Sequence, residues 1–534
     1  MILTISLFWT LLFCQSAPLT AFVGSPVRPT RSALHSTATL TDTSTVDVVG
    51  SVTFLIPSPD QPSPFGLHSP QPHPTHAQVA TQLARKVNWF ANGRLETNII
   101  TQIPTVDSME WQQLVQTDAL LVMGMHNNVD DDMTLIQQLF DTRQAQQLDR
   151  QCHFTLDCMQ TLPAKVGPYQ QDSPSLASTL LPWSTDATGR RLAQKMQTAF
   201  DRWTSDDFCT ALVLFFNQFS GHQLDWVKHT TEATWEKGPL RNALEFWGMV
   251  DKCSDCIGNC VADPKCRECI GKLTDTDPRD QVASYRTIVS YESKLLEEFS
   301  LCIMTKHNIF QCDASIPQLP VVHPIVQWRG KELSVQDGKD ILVGHLDDPS
   351  APPQSQRLPT SWMVAAGANV AYDQFPLQNQ IFYPTAKGST MWYDPVFCVE
   401  TLQGTKVWCH RHYRVRPQKR PGTFRFSVLD NGVTSDEYWT IVGVADDLSW
   451  VCFHYAGAAK AVGLQYLGGL ICTPDGSMPT NPQQLERIYS CLHGAGIEPW
   501  ELSIVNNDRQ SVGIGPPPLD IYRSVAQGSA VSVE

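Results

Sequence analysis

The sequence predicts a multi-domain α+β protein, with a small N-terminal α/β domain, a cysteine-rich helical segment and an eight-stranded antiparallel β-barrel. Three observations predict this fold class. A length of 534 residues suggests about three domains, at ~150 residues per domain. Seven of the 16 cysteines lie between residues 253 and 312. From residue 361 to about 475, short β-type runs alternate with turn signals, which is typical of a barrel.

The composition excludes two broad classes of protein. The chain is 42% hydrophobic and 17% charged, which is too apolar for intrinsic disorder over most of its length. Its 39 Lys and Arg residues against 53 Asp and Glu residues give a net charge of −14. Because an acidic protein repels phosphate backbones, we expect no nucleic-acid partner.

The N-terminus has the composition of a targeting segment. The stretch Ile2–Cys14 is apolar over the length of a signal-peptide core and ends at a polar break. The following residues 22–41 are basic and hydroxyl-rich and contain no acid, which is typical of a transit peptide. Residues 1–41 therefore resemble the two-part presequence that directs proteins into plastids. An ordinary secretory signal followed by a disordered linker is the alternative.

Residues 42–75 are rich in Pro, Ser and Thr and are interpreted as a linker, and residues 76–245 as a small α/β domain of unknown role. The predicted elements of this domain are a helix at Ala77–Ala91, a buried strand at Asp118–Met125, a helix from Asp130 to Phe140 and a buried strand at Ala211–Phe216. The three acids at 130–132 are candidates for a divalent metal, but such acids more often cap a helix, and we favour that interpretation.

Five cysteines of the segment 246–315 form the pattern C-x2-C-x3-C-x5-C-x2-C; they are Cys253, Cys256, Cys260, Cys266 and Cys269. The first three share one helix face, and the turn at Asp263-Pro264 places the last two on a facing helix. Cys302 and Cys312 follow. Two C-x2-C pairs also suggest zinc, but their gap is shorter than usual, and a secretory leader favours disulfides. Because seven is odd, one cysteine is free or pairs elsewhere, and the connectivity stays open.

Residues 316–360 form a Pro-rich connector, residues 361–506 the predicted barrel with a following helix at Pro482–Gly494, and residues 507–534 a loop-like tail. The predicted strands are Ser361–Gly367, Gln380–Tyr383, Val396–Val399, Lys406–Val415, Thr423–Leu429, Trp439–Val444, Trp450–Tyr455 and Tyr466–Thr473. Within the fourth strand, His410 and His412 share one face. A metal site needs a third ligand on that face and none is evident, so we expect histidines at the barrel rim and no bound metal.

The order of these segments, together with several local motifs, resembles the violaxanthin de-epoxidase family, which joins a disulfide-rich helical domain to a lipocalin barrel. The matching text extends from about residue 253 to 475. It comprises Cys260–Cys266 (CVADPKC), Leu296–Cys302 (LEEFSLC), Ser361–Gly367 (SWMVAAG), Tyr372–Phe375 (YDQF), Tyr438–Val442 (YWTIV) and Phe453–Tyr455 (FHY). The long α/β domain upstream makes the chain most similar to the de-epoxidase-related branch of that family.

The resemblance implies a lipocalin-like barrel that takes up a long epoxy-carotenoid, with ascorbate as reductant, in the thylakoid lumen and in peripheral contact with the membrane. Opening an epoxide requires a proton on its oxygen, and a carboxyl kept protonated in an apolar cavity supplies one. The family's active-site acid falls at Glu437, where this chain has Glu in place of Asp, and a second catalytic acid falls at Asp373. The residues implied for substrate binding are Gln378, Tyr455, Tyr466, Trp439 and Trp362.

The chain departs from the family's pattern at several points. Pro376 and Leu377 replace an acid and a cysteine at the barrel mouth, and Cys472 replaces a tyrosine. Thr360 replaces the glycine of the lipocalin Gly-x-Trp motif. No glutamate-rich segment, which the family uses for membrane docking at low pH, follows residue 506. These differences leave violaxanthin turnover and pH-driven docking open.

Three functions follow as expectations. The first is a xanthophyll-cycle oxidoreductase that converts violaxanthin to antheraxanthin and zeaxanthin, with Glu437 as proton donor. The second is a related isomerase that forms an allenic product without a reductant. The third is a barrel that binds carotenoid or lipid without turnover. Without the resemblance, Glu437 is interpreted as a turn residue entering a strand, Asp373 as the cap of a bend, and Tyr455 and Tyr466 as ordinary strand residues.

Overall fold

The structure is a computed structural model of the chain. It describes residues 48–125, 129–146, 150–167, 169–170, 185–219, 239–276, 280–310, 314–346, 358–369, 372–385, 390–462, 464–518 and 520–521. The predicted presequence and Cys312 lie outside these residues. In the part of the chain that the structure describes, no helix has the length and apolar character needed to cross a bilayer.

The α/β domain is built on a sheet with the strand order β2-β1-β3-β4-β5-β6. Its strands are β1 (Gly50–Leu55), β2 (Leu95–Ile100), β3 (Ala119–Met123), β4 (Cys152–Leu156), β5 (Lys165–Val166) and β6 (Tyr169–Gln170). The first four pair in parallel, and β5 and β6 turn back antiparallel. β3 and β4 are wholly buried, because helices cover both faces of the sheet. The strand predicted within 118–125 is confirmed.

The helices of this domain are α1 (His76–Phe90), α2 (Met109–Gln116), α3 (Val129–Ala145), α4 (Thr185–Phe200) and α5 (Ser205–Phe219). Helices α1, α4 and α5 pack on one face of the sheet, and α2 and α3 pack on the other. The predicted helices at 77–91 and 130–140 are confirmed. Thr75 begins the first of them, since its side chain accepts a hydrogen bond from the Gln78 amide.

Two interpretations of this region are wrong. The linker predicted for residues 42–75 contains β1, an inner strand of the parallel sheet whose last four residues are buried. The strand predicted at Ala211–Phe216 is part of helix α5. A helix that is buried on most of its surface has the same continuous apolar run as a buried strand, so periodicity alone does not separate the two.

The cysteine-rich segment is helical. Its helices are α6 (Pro239–Ala262), α7 (Pro264–Asp275), α8 (Gln281–Ser290) and α9 (Lys294–Ser300), and a π-helical turn (Leu301–Lys306) extends α9. Two disulfides join them: Cys253–Cys302 links α6 to the π-helical turn, and Cys260–Cys266 links α6 to α7. Cys256 and Cys269 are free thiols. The expected disulfides are thus confirmed for four of the seven cysteines.

The connector contains a short hairpin, β7 (Gln327–Trp328) and β8 (Lys331–Glu332), followed by helix α10 (Val335–Val343). The indole N–H of Trp328 donates to the carbonyl of Ala445 at 3.3 Å. This bond ties the connector to the chain directly after one of the long barrel strands.

Eight antiparallel strands form a closed barrel: β9 (Trp362–Gly367), β10 (Asn379–Pro384), β11 (Met391–Glu400), β13 (Tyr413–Pro417), β14 (Thr423–Asp430), β15 (Val433–Val444), β16 (Val451–Ala459) and β17 (Leu464–Thr473). Pairing of β10 with β9 closes the ring. Outside the ring, β12 (Lys406–His410) pairs with β11, and β18 (Ser503–Ile504) pairs with β9. Helix α11 has the predicted bounds, Pro482–Gly494, and it covers the outer face of β15 and β16. The tail contains a short helix, α12 (Arg509–Val512).

Each predicted strand is present, but β11 begins five residues and β15 six residues earlier than predicted, at Met391 and Val433. The run Lys406–Val415 is two strands, β12 and β13, which separate at Arg411 and His412. Alternate residues of the ring strands face the interior, where aromatic side chains predominate. These include Phe382, Tyr393, Phe426, Trp439, Phe453 and Tyr455.

Candidate active site

Glu437 lies in the middle of β15, so it is not the turn residue that pattern alone suggests. Its two carboxylate oxygens accept hydrogen bonds from the indole N–H of Trp439 and from the hydroxyl of Tyr466, each at 2.7 Å. Burial raises the pKa of Glu437, although both hydrogen bonds act to lower it. Because both donors are neutral, they do not hold the carboxylate in its ionised form as a cation would.

Asp373 lies in the loop between β9 and β10 and is 5% exposed. One of its oxygens accepts from the hydroxyl of Tyr455 and from the backbone N–H of Asn369, each at 2.8 Å. A Cβ on Gly367 would lie 2.3 Å from the Cβ of Asp373, so the end of β9 leaves just enough room for this acid. Burial raises the pKa of Asp373 to about 7, and the nearby charge of Glu437 adds to the increase.

Aromatic rings connect the two acids. Trp439 and Tyr455 are register partners on β15 and β16, and their rings stack with centroids 5.2 Å apart. Trp439 donates to Glu437, and Tyr455 donates to Asp373. The ring of Tyr466 lies 6.4 Å from that of Tyr455. The structure therefore brings all five of these predicted site residues together on one wall of the barrel interior.

Two glycines that the sequence analysis missed make room for the tyrosines. In the register of β16 and β17, Gly457 lies opposite Tyr466 and Gly468 lies opposite Tyr455. A Cβ at either glycine would lie 2.2 Å from the ring of its partner. A glycine inside a strand is a signal of close approach by another group, but its partner is visible only once the register is known.

Gln378 supports the loop that carries Asp373. Its side-chain amide donates to the carbonyl of Tyr372 at 2.5 Å, and its side-chain oxygen faces the amide of Gln380 at 3.4 Å. Its backbone N–H donates to Oδ1 of Asn507 at 3.1 Å. With its amide engaged by the backbone, Gln378 stabilises the loop, and its contact with a substrate stays a prediction.

Trp362 lies at the other end of β9. Its indole N–H donates to the carbonyl of Ile341 in α10 at 2.9 Å, and its ring meets that of His345 edge-on. Five residue-to-residue steps along the strand lead from Trp362 to Gly367, which corresponds to about 16 Å. Trp362 therefore anchors the connector to the barrel and is not part of the acid cluster.

A second cluster of titratable groups lies on the outer side of the barrel. Asp394 alternates with the inward-facing Tyr393 and is fully buried. Its carboxylate oxygens bind Nδ1 of His412 at 2.6 Å, Nε2 of His410 at 3.1 Å and the hydroxyl of Tyr383 at 3.0 Å. Burial acts to raise the pKa of Asp394, but the hydrogen bonds to the two histidines outweigh it and the pKa is lowered. The expected rim histidines thus have a carboxylate partner that no local pattern indicated.

A closed eight-stranded antiparallel barrel with a helix along its outer face is a lipocalin-type barrel. Residues 245–507 match the family model of the VDE lipocalin domain. This match supports membership of the violaxanthin de-epoxidase family. Among solved structures, the bovine lipocalin allergen Bos d 2 matches with 10% identity and a TM-score of 0.20, over 27% of this chain and 88% of that chain. No curated protein matches the chain.

Proposed function

We propose that the chain is a xanthophyll-cycle oxidoreductase that removes the oxygen of an epoxy-carotenoid of the violaxanthin type, with ascorbate as reductant. The observation that carries this proposal is the pair of buried acids, Glu437 and Asp373, each held by neutral donors inside the barrel. A buried carboxyl with a raised pKa is the group that acid-catalysed epoxide opening requires.

In the proposed reaction, Glu437 donates its proton to the epoxide oxygen and a carbon–oxygen bond of the epoxide breaks. Ascorbate supplies two electrons and is oxidised to dehydroascorbate. The oxygen leaves as water with two protons, and the two ring carbons form a double bond. Epoxide and ascorbate thus become alkene, dehydroascorbate and water, and the carboxyl is reprotonated from solvent.

The donors around Glu437 fit this role. Once the proton has left, the hydrogen bonds from Trp439 and Tyr466 are made to an ion and become stronger, which stabilises the charge that forms during the reaction. Burial raises the pKa of Tyr455 and Tyr466, so both hydroxyls stay protonated and act only as donors. The aromatic rings packed around Trp439, among them Phe426 and Tyr455, make the surroundings of Glu437 apolar, which suits a polyene substrate.

A second candidate is isomerisation of an epoxy-carotenoid to an allenic product. One observation favours it. With a pKa of about 7, Asp373 is partly ionised near neutral pH and can act as a base, and the raised pKa of Glu437 favours its protonated form as the donor. One acid would then protonate the epoxide and the other would remove a proton from carbon. No reductant is consumed in this reaction.

The proposal includes a location in the plastid, in the thylakoid lumen, with peripheral contact to the membrane. The composition of residues 1–41 and the disulfides of the helical segment support it, since disulfides persist in oxidising compartments. Fusion of residues 1–41 to a fluorescent protein tests the location directly. A reporter that is secreted instead contradicts it.

One experiment separates the candidate reactions. The oxidised full chain is incubated with violaxanthin at acid and neutral pH, with and without ascorbate, and the pigments are separated by chromatography. De-epoxidised product that forms only with ascorbate supports the oxidoreductase, and an allenic product without ascorbate supports the isomerase. Unchanged pigment that elutes with the protein would mean that the barrel binds carotenoid without turnover, and both enzyme proposals would fail.

A further inference from the structure

One segment of the chain joins the α/β domain to the barrel. It consists of residues 496–507, called the docking segment below. Trp500 of this segment is 7% exposed and belongs to the hydrophobic core of the α/β domain, where its ring meets Phe65 edge-on with centroids 5.5 Å apart. Gly66 adopts a φ of +72°, and a Cβ there would lie 2.9 Å from the carbonyl oxygen of Trp500. The α/β domain is therefore shaped around a residue of the docking segment.

Beside Trp500, buried charges connect the same two parts. Nζ of Lys86 in α1 lies 2.7 Å from Asp206 of α5 and 2.8 Å from Glu501 of the docking segment, and it donates to the hydroxyl of Ser205. Gln82 donates to the second oxygen of Glu501 at 2.7 Å. Burial acts to lower the pKa of Lys86, but the charges of Asp206 and Glu501 outweigh it and the pKa is raised. The lysine therefore stays charged and neutralises acids from both domains.

The other end of the docking segment lies at the barrel mouth. Strand β18 pairs with the end of β9, where Ser503 lies opposite Gly367, the glycine that leaves room for Asp373. The neighbouring Ile504 donates its N–H across the domain boundary to the carbonyl of His68 at 2.9 Å. The two-residue strand β18 thus contacts both the α/β domain and the end of β9 that leaves room for Asp373.

The last residues of the docking segment hold the loop between β9 and β10. The carbonyl of Asn506 accepts from the N–H of Leu377 at 3.0 Å, and Oδ1 of Asn507 accepts from the N–H of Gln378 at 3.1 Å. The side-chain amide of Asn507 donates to the carbonyls of Val364 in β9 at 2.7 Å and of Gly476 at 3.0 Å. This loop is the one that carries Asp373.

Charged groups of the α/β domain also affect titratable groups of the barrel. The charge of Asp206, in the α/β domain, contributes to the raised pKa of Asp373 after burial and the charge of Glu437. Burial, followed by the charge of Lys86, lowers the pKa of His454 in β16 to about 4. His454 is buried, and its ring nitrogens lack a hydrogen-bond partner within the described part of the chain. Separation of the α/β domain from the barrel would therefore change the electrostatic environment of Asp373 as well as the position of the loop that carries it.

We propose that the α/β domain is a positioning module for the barrel mouth. Docking through Trp500 and Glu501 holds β18 and Asn507 in place, and these in turn hold the end of β9 and the loop of Asp373. Lys86, Glu501 and Asn507 are positioning residues in this proposal. It assigns a role to the α/β domain and goes beyond the proposed function, because it applies to either reaction and to binding alone.

The test uses the full chain with Lys86→Met, which leaves Asp206 and Glu501 facing each other without a cation. The matched control is Lys294→Met, since Lys294 is an exposed lysine paired with Glu298 on α9. Hydrogen–deuterium exchange reports two amides without any substrate: Ile504 for docking and Leu377 for the mouth. In Lys86→Met we expect both amides to exchange roughly tenfold faster or more, and in Lys294→Met neither. The proposal is overturned if Ile504 loses its protection while Leu377 keeps it.

A second variant keeps the test decisive if Lys86→Met does not fold. Lys86→Met combined with Asp206→Leu and Glu501→Met replaces the whole buried ion cluster by apolar side chains, which is far less costly than removing one partner. We expect this variant to dock and to restore protection at both amides. Protection at Ile504 with fast exchange at Leu377 would show that docking does not hold the mouth, and would overturn the proposal.

Asn507→Ala removes only the side-chain hydrogen bonds that Asn507 makes with Gln378, Val364 and Gly476. We expect Ile504 to stay protected and Gln378 to exchange roughly tenfold faster or more. If the carotenoid reaction is measurable, kcat falls with little change in KM, and the midpoint of the pH profile moves to lower pH because a more exposed Asp373 has a lower pKa. Unchanged exchange at Gln378 contradicts the role of Asn507. Since the exchange readout needs no substrate, failure of this proposal is distinguishable from failure of the proposed function.

Discussion

The barrel interior and the domain interface both bury a pair of carboxyl groups, and they do so with opposite chemistry. Inside the barrel, Glu437 and Asp373 accept hydrogen bonds from hydroxyl, indole and backbone amide groups, and the pKa of each is raised. At the interface, Asp206 and Glu501 face the ammonium of Lys86. Burial raises the pKa of Asp206 as well, although the charge and the hydrogen bond of Lys86 act to lower it. The two pairs therefore differ in their partners: neutral donors hold the acids of the barrel, whereas one lysine ties together two acids from different domains.

Asp394 extends the comparison within the barrel itself. It is as buried as Asp373, but it lies on the outer side of the ring and binds two histidines. Its pKa is lowered, whereas that of Asp373 is raised to about 7. Two aspartates of one barrel should therefore respond to pH in opposite directions.

Replacement of the proposed proton donor has the largest expected effect. Glu437→Gln keeps the shape of the side chain and an oxygen that accepts a hydrogen bond, but it removes the transferable proton. We expect carotenoid turnover to fall by roughly 10²- to 10⁴-fold, with carotenoid binding retained. The matched control is Glu298→Gln, on the exposed face of α9, which should leave turnover unchanged. Full activity in Glu437→Gln would refute its role as proton donor.

Replacement of the second barrel acid changes how stability depends on pH. The pKa of Asp373 is about 7 in the folded chain, above the ordinary value of 3.8. Its contribution to stability is therefore fully present below pH ~4 and is lost as the pH rises through ~7, by at most about 4 kcal/mol. We expect Asp373→Asn to gain stability relative to the natural chain over this interval, as measured by chemical denaturation at a series of pH values. A difference that does not vary with pH contradicts the raised pKa.

Asp394→Asn should show the opposite dependence. At neutral pH we expect the free energy of unfolding to fall by about 2–3 kcal/mol, because the histidines lose an ionised partner. A lowered pKa means that this contribution is present above the ordinary value of about 4 and is lost as the pH falls through the folded value. Denaturation curves should therefore converge on strong acidification. If the difference grows in acid, the assignment is wrong.

The smallest expected effects come from adding a methyl group at Gly457, which leaves room for the ring of Tyr466. Gly457→Ala forces the ring of Tyr466 away from Glu437, and we expect a loss of about 1–3 kcal/mol of stability together with slower turnover. Gly271→Ala in α7 is the control, since nothing lies within 4 Å of its added Cβ. That change should be neutral or stabilise the chain by up to ~1 kcal/mol. Equal effects of the two changes would contradict the close packing of Tyr466.

The local features of this chain are predictable from sequence, and the long-range ones are not. The strands Thr423–Leu429 and Trp439–Val444 are predictable because each is a short apolar run between turn signals, although β15 begins six residues earlier, at Val433. Glu437 was identified only through family resemblance, since a polar residue near a turn carries no signal of its own. Lys86 and Glu501 are 415 positions apart, and no spacing rule relates them. Helix α5 was mistaken for a strand because its burial removes the polar face on which periodicity depends.

The insertion of Trp500 reverses the usual order in which domains mature. During synthesis the N-terminal domain of a chain generally folds first, while later residues are still being added. Here the α/β domain emerges first, but its core is incomplete until residue 500 has left the ribosome. The ring of Phe65 that Trp500 covers stays open to water until then. A fragment that ends before the docking segment therefore lacks part of the core of its own α/β domain.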